Sequence, residues 1–446
     1  MIRRAVGSIA GTQPDRDVPA LMVKLGFYPV QAGGLGAVRS LGRLGVPVHV
    51  LSEDAFTTIA LSRYRARRFD WQTTGLEDPA ELVARLSDVG RRIGRRAVAI
   101  PTDDESATLL AEHRAELAEY FLIPAVRPDL PRELASKYDL FRFCREHDVP
   151  APGTSLITSR AELRAYADSA TFPLAVKNGA PWWRLRAQMV SSTQVVRTRT
   201  ELLALADERP SEFRLLAQEY IPPEEAQDWI VHLYSDANSD CLALFTAVKL
   251  RSWPAQAGNT ACAYSTYNPA LADLARRFCK SVGFKGIADL DWRFDRRDGQ
   301  YKLVDFNPRV GNNFSLFSTD GGLDVVRAQH LDLTGREVPA GEQVDDRRLV
   351  VEHFDLAARV AYRKTAGPDS PVADERAGTT VLAFGAKDDP LPFLVIWPRQ
   401  IAPLLARLRK RLARGHKAPA AHDEGGRDGS GPRRSEHFPQ AEAGSG

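Results

Sequence analysis

The sequence predicts an α/β plus α+β protein, in which an N-terminal open parallel α/β domain precedes a region of antiparallel sheets and helices. Two observations support this fold class. Over residues 19–125, apolar strand-like runs alternate with helix-like segments, which is typical of a parallel sheet. From Ser136 onward, strand-like runs follow one another with short connections. One connection, DRRDGQ, contains Asp-Gly, a strong hairpin signal.

The first region begins with one βαβ unit and continues the alternation to about residue 125. Its predicted elements are a strand at Ala20–Gly26, a loop and helix at Gly33–Leu44, a strand at Val46–Leu51, a helix at Asp78–Leu86, a strand at Ala97–Ile100 and a helix at Ala107–Tyr120. We assign residues 19–128 to this domain and residues 1–18, which are polar, to a flexible lead-in.

The second region, residues 129–335, opens with an amphipathic helix and then becomes rich in strands. The predicted elements are helices at Lys137–His147, Arg199–Arg209 and Ala270–Val282, and strands at Pro173–Lys177, Leu215–Ile221, Trp229–Ser235, Cys241–Arg251, Gly286–Phe294 and Tyr301–Asn307. The last two strands flank the Asp-Gly turn, so we expect them to pair as a hairpin.

The C-terminal part divides into three segments. Residues 336–397 form a smaller extension, and residues 415–446, rich in Gly, Pro, Ala and charge, are predicted to be disordered. Between them, residues 398–414 carry six basic and no acidic side chains, with leucines at helical spacing. This segment fits either a basic amphipathic helix on an anionic membrane or a terminal helix packed through its leucines, and both alternatives stay open.

Composition excludes several classes of protein. The 446 residues include 60 Lys and Arg against 57 Asp and Glu, for a net charge of +3, and 43% are hydrophobic. This balance disfavours wholesale disorder and a strongly basic nucleic-acid binder. No apolar run is long enough to span a bilayer, and the four cysteines lie far apart without zinc-like spacing. We therefore expect a cytoplasmic protein, with peripheral contact at the inner face of the membrane as an open alternative.

The most informative segment is GIADLDWRFDRRDGQYKLVDFNPRVGNN, residues 286–313. Side chains alternate along a strand, so Asp289 and Asp291 share one face, as do Asp305 and Asn307 on the partner strand. Two carboxylates and an amide oxygen on adjacent strands suit Mg²⁺. A solvated acidic hairpin would explain exposed Asp residues, but it would not explain the Asp-Phe-Asn-Pro-Arg order, in which poor strand formers end a strand.

This segment resembles the metal-binding hairpin of the ATP-grasp superfamily, which reads acidic residue, then acidic–x–Asn–Pro–Arg. Further fragments follow in the family's order: SKYDLFRFCREHDVPAP, PLAVKN, LLAQEYIPPEEAQDW and TAVKLRSWP. The resemblance covers roughly residues 137–320, and its strength lies in order and spacing rather than in any single fragment. SRYRARRF and PTDDES resemble the region before the grasp in D-aspartate-ligase-like and carbamoyl-phosphate-synthase-like members.

The resemblance implies an ATP-grasp fold with two lobes and assigns roles to individual residues. The implied metal ligands are Asp291, Asp305 and Asn307, with Asp289 as an alternative to Asp291. The implied nucleotide-binding residues are Lys137, Lys177, Ser191, Ser192, Gln218, Glu219, Tyr220, Ile221 and Asp228. The implied catalytic residues, near the γ-phosphate and the acceptor carboxylate, are Lys249, Arg251 and Arg309.

The chain departs from the family pattern at two places. The loop that covers the phosphates is usually glycine-rich, whereas residues 178–192 read NGAPWWRLRAQMVSS. Asp also stands at residues 291 and 305, where Glu is common, so each ligand is one methylene shorter.

The resemblance implies an ATP-dependent carboxylate–amine ligase that works through an acyl phosphate, with ATP and Mg²⁺ or Mn²⁺ as cofactors. Small-molecule carboxylates and amines are the expected substrates, nucleic acid is not an expected partner, and a homodimer is an open alternative. The alternatives are a carboxylate–thiol ligase and a nucleotide-binding protein without ligase turnover. A dinucleotide-dependent enzyme is disfavoured, because Gly33-Gly34-x-Gly36 fails the G-x-G-x-x-G spacing and has a simpler interpretation as a tight strand-to-helix turn.

Overall fold

A computed structural model describes residues 13–178, 193–207, 212–255, 258–365 and 378–399 of the chain. The predicted basic helix at 398–414, apart from its first two residues, and the predicted disordered tail lie outside these ranges, as do Ser191 and Ser192. Three sheets organise the described residues: a five-stranded, a four-stranded and a seven-stranded sheet.

The five-stranded sheet forms the N-terminal part and is wholly parallel, in the order β3-β2-β1-β4-β5. Its strands are β1 (Ala20–Val23), β2 (Val48–Ser52), β3 (Arg65–Asp70), β4 (Ala97–Pro101) and β5 (Phe121–Leu122). The accompanying helices are α1 (Ala32–Gly42), α2 (Thr58–Leu61), α3 (Pro79–Ile93), α4 (Asp104–Glu112) and α5 (Arg114–Leu117). The sheet confirms the predicted open parallel α/β fold.

The four-stranded sheet is antiparallel, in the order β6-β9-β7-β8. Its strands are β6 (Thr154–Ser159), β7 (Leu174–Asn178), β8 (Gln194–Val196) and β9 (Glu212–Glu219). Helices α6 (Leu130–Ala135) and α7 (Lys137–Glu146) precede the sheet, and α8 (Arg160–Ser169) and α9 (Arg199–Asp207) pack with it. This sheet places Lys177 of β7 opposite Leu216 of β9, with its side chain within hydrogen-bond distance of Gln218.

The seven-stranded sheet is the largest, in the order β14-β13-β10-β11-β12-β15-β16. Its strands are β10 (Ala226–Ser235), β11 (Cys241–Trp253), β12 (Asn259–Ser265), β13 (Gly286–Asp295), β14 (Gln300–Asn307), β15 (Arg347–Val350) and β16 (Thr379–Leu382). Its helices are α10 (Pro269–Val282), α11 (Val325–Leu333), α12 (Glu352–Thr365) and a last helix over 391–399. All pairs are antiparallel except β15 with β16, so the segment predicted as an extension adds two strands to this sheet.

Several elements differ from the sequence prediction for local reasons. Helix α3 continues to Ile93 and stops at Gly94, whose φ of 78° is a left-handed conformation that ends helices. The predicted helix at Ala107–Tyr120 begins earlier, at Asp104, because Asp103 and Ser106 form a capping box. It is also divided at His113, where the backbone leaves the helical region (φ −109°, ψ 24°).

The parallel sheet and the seven-stranded sheet share one hydrophobic core. Leu35 and Val98 from the N-terminal part belong to the same buried cluster as Phe245, Phe314 and Phe384. Among the described residues, no helix is both long enough and apolar enough to cross a membrane. The shared core fixes the position of the two sheets relative to each other.

A buried ion pair joins the two ends of the described chain. The Asp389 carboxylate accepts hydrogen bonds from Arg39 Nε (2.9 Å), Ser62 Oγ (2.7 Å) and the Arg63 backbone N–H (2.9 Å). Arg39 and Asp389 are 4% and 1% exposed. The first two residues of the SRYRARRF segment, Ser62 and Arg63, therefore anchor Asp389 and with it the C-terminal part of the described chain.

We predict that Asp389→Ala lowers the free energy of unfolding by about 3–5 kcal/mol, because it leaves the Arg39 charge buried without its partner. The neighbouring Asp388 is the matched control, since its ion pair with Arg43 (2.9 Å) is about 40% exposed on both sides. Asp388→Ala should cost about 1 kcal/mol or less. Chemical denaturation of both variants measures the difference, and equal losses would contradict the prediction.

Candidate active site

A cleft of about 720 Å³ lies between the four-stranded sheet and the seven-stranded sheet. Most of the residues singled out by the sequence line it: Lys137, Lys177, Gln218, Glu219, Tyr220, Ile221, Asp228, Lys249, Asp289, Asp291, Asp305, Asn307 and Arg309. They come from α7, β7, β9, β10, β11, β13 and β14 and from the loop after β14. The fold thus gathers residues that are up to 170 positions apart in the chain into one polar cleft.

The β13–β14 hairpin provides the acidic side of the cleft. Its register places Asp291 opposite Asp305, and Asp289 opposite Asn307. The Asn307 amide nitrogen donates to the Asp289 carbonyl oxygen (3.0 Å), which leaves the amide oxygen available as an acceptor. Two carboxylates and one amide oxygen are a donor set that fits Mg²⁺. Within the described part of the chain, no three His, Cys, Asp or Glu side chains form a metal-ligand group, so an amide has to complete this set.

Lysines from two other elements neutralise these carboxylates. Lys137 Nζ lies 2.8 Å from Asp305, and Lys249 Nζ lies 2.7 Å from Asp291. Burial raises the pKa of Asp291; the charge of Lys249 opposes this shift, and the negative charges of Asp289 and Asp305 add to it. Burial also acts to raise the pKa of Asp305, but Lys137 and then Lys177 outweigh it and lower that pKa. Burial and the neighbouring carboxylates therefore disfavour an ionised Asp291, and a bound cation would offset both effects.

Asp289 is engaged differently from Asp291. Its Oδ2 accepts from Arg309 Nη1 (2.8 Å) and its Oδ1 accepts from Asn313 Nδ2 (3.0 Å), and its side chain is 9% exposed. The Asp291 side chain is 33% exposed and is held by Lys249. The accessible carboxylate opposite Asp305 is therefore that of Asp291.

Lys177 occupies the other wall of the cleft. Its Nζ donates to Gln218 Oε1 (2.7 Å), and the Gln218 amide nitrogen donates to Thr154 Oγ1 (2.9 Å). Burial lowers the pKa of Lys177 to about 7, and the positive charge of Lys137 adds to the effect. Its hydrogen-bond partner is the neutral amide of Gln218 rather than a carboxylate, so the ammonium group is suited to attract phosphate oxygens.

Two acidic residues lie on either side of the connection between β9 and β10, residues 220–225, which we call the hinge. Both acids are already paired with basic residues. Glu219 contacts Arg297 (2.6 Å) and Lys302 (3.3 Å), and Asp228 accepts two hydrogen bonds from Arg293, at 2.7 and 3.0 Å. Both acids lie in the cleft as expected, but each has a basic partner that the sequence analysis did not assign. Arg293 stands two residues after Asp291 on β13, so the alternation of side chains along the strand could have indicated it.

The structure does not bring Arg251 into the cleft. Arg251 is 4% exposed, and its Nε donates to Asp355 of α12 at 2.8 Å. In a regular strand Lys249 and Arg251 would share a face. Between these two residues, however, β11 advances by two positions while its partner strand β12 advances by only one. This β-bulge turns Arg251 into the core. Ser191 and Ser192 lie outside the described residues.

The glycines of α1 have a packing role that the sequence analysis missed. A Cβ atom on Gly33 would lie 2.3 Å from the Gly311 carbonyl oxygen, and one on Gly36 would lie 2.5 Å from Phe314. Val310 N–H also donates to the Pro101 carbonyl at 3.1 Å. The loop after β14 therefore packs directly on the start of α1, where a dinucleotide pyrophosphate would need to approach. This contact argues against the dinucleotide alternative.

Comparison with known proteins gives one sequence relative and many structural neighbours. The chain is 26% identical over 243 residues to D-aspartate ligase of Enterococcus faecium (strain Aus0004), with 52% of this chain and 58% of that protein covered. The match thus spans little more than half of the relative's length. No family model matches the chain.

Solved structures share the fold at low sequence identity. The biotin carboxylase domain of Hydrogenobacter thermophilus 2-oxoglutarate carboxylase, determined with MgADP and bicarbonate, has a TM-score of 0.51 at 14% identity over 73% of this chain and 71% of that one. L-amino acid ligase from Bacillus licheniformis has a TM-score of 0.52 at 13% identity over 72% and 75%. The chain has the ATP-grasp fold, as its ordered motifs predicted.

We predict that the affinity for Mg-ATP falls as the pH rises above about 7, the pKa of Lys177 in the free protein. Below that pH the ammonium group is already charged, whereas above it a proton must be taken up to hold the phosphates. The dissociation constant should then rise by up to about tenfold per pH unit. Isothermal titration calorimetry in buffers of different ionisation enthalpy measures both the affinity and the proton uptake.

Lys177→Arg is the matched variant, because arginine stays charged throughout this pH range. Its affinity should depend less on pH, and its binding should take up fewer protons. The same pH dependence and the same proton uptake in both proteins would contradict the role of Lys177.

Proposed function

We propose that this chain is an ATP-dependent carboxylate–amine ligase, which forms an amide bond through an acyl phosphate and releases ADP and phosphate. The observation that carries the proposal is the convergence, in one cleft, of the Asp291–Asp305–Asn307 oxygen set with lysines from three separate elements. Such a reaction requires charge neutralisation and in-line positioning more than covalent participation by the protein.

Asp291, Asp305 and Asn307 would hold Mg²⁺ in this proposal. The ion, when bound, would neutralise the negative charge that develops during phosphoryl transfer. The amide oxygen of Asn307 and the negative charges of Asp289 and Asp305 beside Asp291 support this assignment. Asp289 is instead assigned to the orientation of Arg309, since both of its oxygens are already hydrogen-bonded.

The nucleotide would occupy the wall formed by β7, β9 and the hinge. Lys137 and Lys177 would contact its phosphates, and the backbone at Tyr220 and Ile221 would pair with the edge of the adenine ring. Glu219 would accept from the adenine amino group and Asp228 from the ribose, each held in place by its basic partner. Gln218 keeps Lys177 oriented through the hydrogen bond between them.

Lys249, which contacts Asp291, and Arg309, which contacts Asp289, would stabilise the transferred phosphoryl group and the substrate carboxylate. Lys249 is 10% exposed and Arg309 is 18% exposed, so both act in a poorly hydrated environment where their charges are less screened. The substrate carboxylate attacks the γ-phosphorus, and an amine then displaces phosphate from the acyl phosphate. The sequence relative makes D-aspartate the first carboxylate to test.

The function is tested by trapping the acyl phosphate with hydroxylamine, which replaces the unidentified amine. We expect the protein, Mg-ATP and D-aspartate together to yield a hydroxamate with release of ADP in equal amount. Other amino acids and dicarboxylates serve as comparison substrates, and Mn²⁺ serves as a second metal. If none of the carboxylates gives hydroxamate although Mg-ATP binds, the ligase proposal is wrong.

The metal assignment is tested separately by comparing three variants of the same hairpin. Asp305→Asn and Asp291→Asn should lower the rate of hydroxamate formation by about a hundredfold or more and weaken the Mg²⁺ dependence. Asp298→Asn, on the turn of the hairpin, is the control and should retain the wild-type rate. A wild-type response to Mg²⁺ in Asp305→Asn would exclude Asp305 as a ligand.

A further inference from the structure

The loop after β14 is held from three sides at a single residue, Gly311. Its N–H donates to His232 Nε2 (3.3 Å), and its carbonyl oxygen lies against Gly33 of α1. On the third side, a Cβ atom on Gly311 would lie 2.4 Å from Asp289 Oδ2. The loop also carries Arg309, so its position determines where this charge stands in the cleft.

Of these three contacts, the one with His232 is a hydrogen bond to the Gly311 N–H. It lies in the middle of β10, is fully buried, and stands opposite Asp289 of β13. Its ring packs against Phe314 and Phe317, with centroid distances of 6.0 and 5.8 Å. A buried polar ring in an apolar setting costs free energy unless its hydrogen bonds compensate.

The direction of the hydrogen bond determines the state of the ring. Because the Gly311 N–H is the donor, His232 Nε2 must carry a lone pair, and the ring proton resides on Nδ1. Burial, followed by the positive charge of Arg309, lowers the pKa of His232 to about 3. Nδ1 has no hydrogen-bond partner within the described ranges. The ring is therefore neutral and serves as an acceptor through Nε2.

We propose that His232 is a positioning residue of the active site, whose Nε2 holds the Gly311 amide and thereby sets the location of Arg309 against Asp289. The chain of contacts is continuous: His232 to Gly311, Gly311 to Asp289, and Asp289 to Arg309 at 2.8 Å. Asn313, in the same loop, holds the other oxygen of Asp289. A shift of the loop would misplace Arg309 relative to Asp289, which is fixed on β13.

The kinetic test rests on the proposed function and compares two substitutions of His232. His232→Phe fills the ring space without an acceptor, whereas His232→Gln retains an acceptor oxygen near the position of Nε2. We expect His232→Phe to lower kcat for hydroxamate formation by about tenfold or more, since small misplacements near reacting groups are costly. KM for ATP should stay at the wild-type value, and His232→Gln should recover most of the rate.

His330→Phe is the matched control for loss of a buried histidine. His330 is also fully buried, and its Nε2 is hydrogen-bonded to the Val18 carbonyl oxygen at 2.9 Å rather than to the loop after β14. This variant should lose thermal stability but keep kcat. The proposal is overturned if His232→Phe keeps the wild-type kcat, or if His232→Gln is as slow as His232→Phe at equal thermal stability.

Nitrogen-15 NMR of histidine-labelled protein gives a readout that does not depend on activity. The wild-type spectrum should contain one neutral ring with a protonated Nδ1 and an unprotonated Nε2 that is absent from the spectrum of His232→Phe. A doubly protonated ring, or one protonated at Nε2, would overturn the inference. A protein that shows the expected ring but forms no hydroxamate would instead overturn the proposed function.

Discussion

The crowding of carboxylates on the β13–β14 hairpin is the constraint on which the rest of the site depends. Asp289, Asp291 and Asp305 stand within one small area of two adjacent strands, where like charges repel and burial disfavours ionisation. Each is compensated by a cation from outside the hairpin or from the loop that follows it. The helix α7, the strand β11 and that loop must therefore be placed accurately, which is why the cleft lies where the two sheets meet.

This distribution of charge gives the N-terminal part a direct influence on the cleft. The loop that carries Arg309 is seated on α1 through Gly33, and Asp104 at the start of α4 lies 3.5 Å from Arg309. The parallel sheet is therefore connected to the nucleotide side through backbone packing and through charge. A buried hydrophobic core shared by the parallel sheet and the seven-stranded sheet fixes their relative position and so preserves these contacts.

Much of the fold and of the site was predictable because both depend on local patterns. The hairpin and the alternating α/β part follow from side-chain periodicity and turn residues, whereas the lysine at the start of α7 was implied by the family resemblance. Partners at long range were not predictable: the bulge that turns Arg251 toward Asp355 depends on the pairing with β12, and the contact of Gly33 with Gly311 depends on how two sheets pack. Strand β12 itself was missed, since NTACAYS has no clear alternation of apolar and polar residues.

The pairing of Arg39 with Asp389 has a consequence for synthesis of the chain on the ribosome. The two residues are 350 positions apart, so at about 5–20 residues per second Asp389 is made roughly 20–70 seconds after Arg39. Until then α1 carries a charge that the finished protein buries, and the parallel sheet cannot reach its final packing. The N-terminal part, although made first, therefore gains the partner of its buried Arg39 only near the end of synthesis.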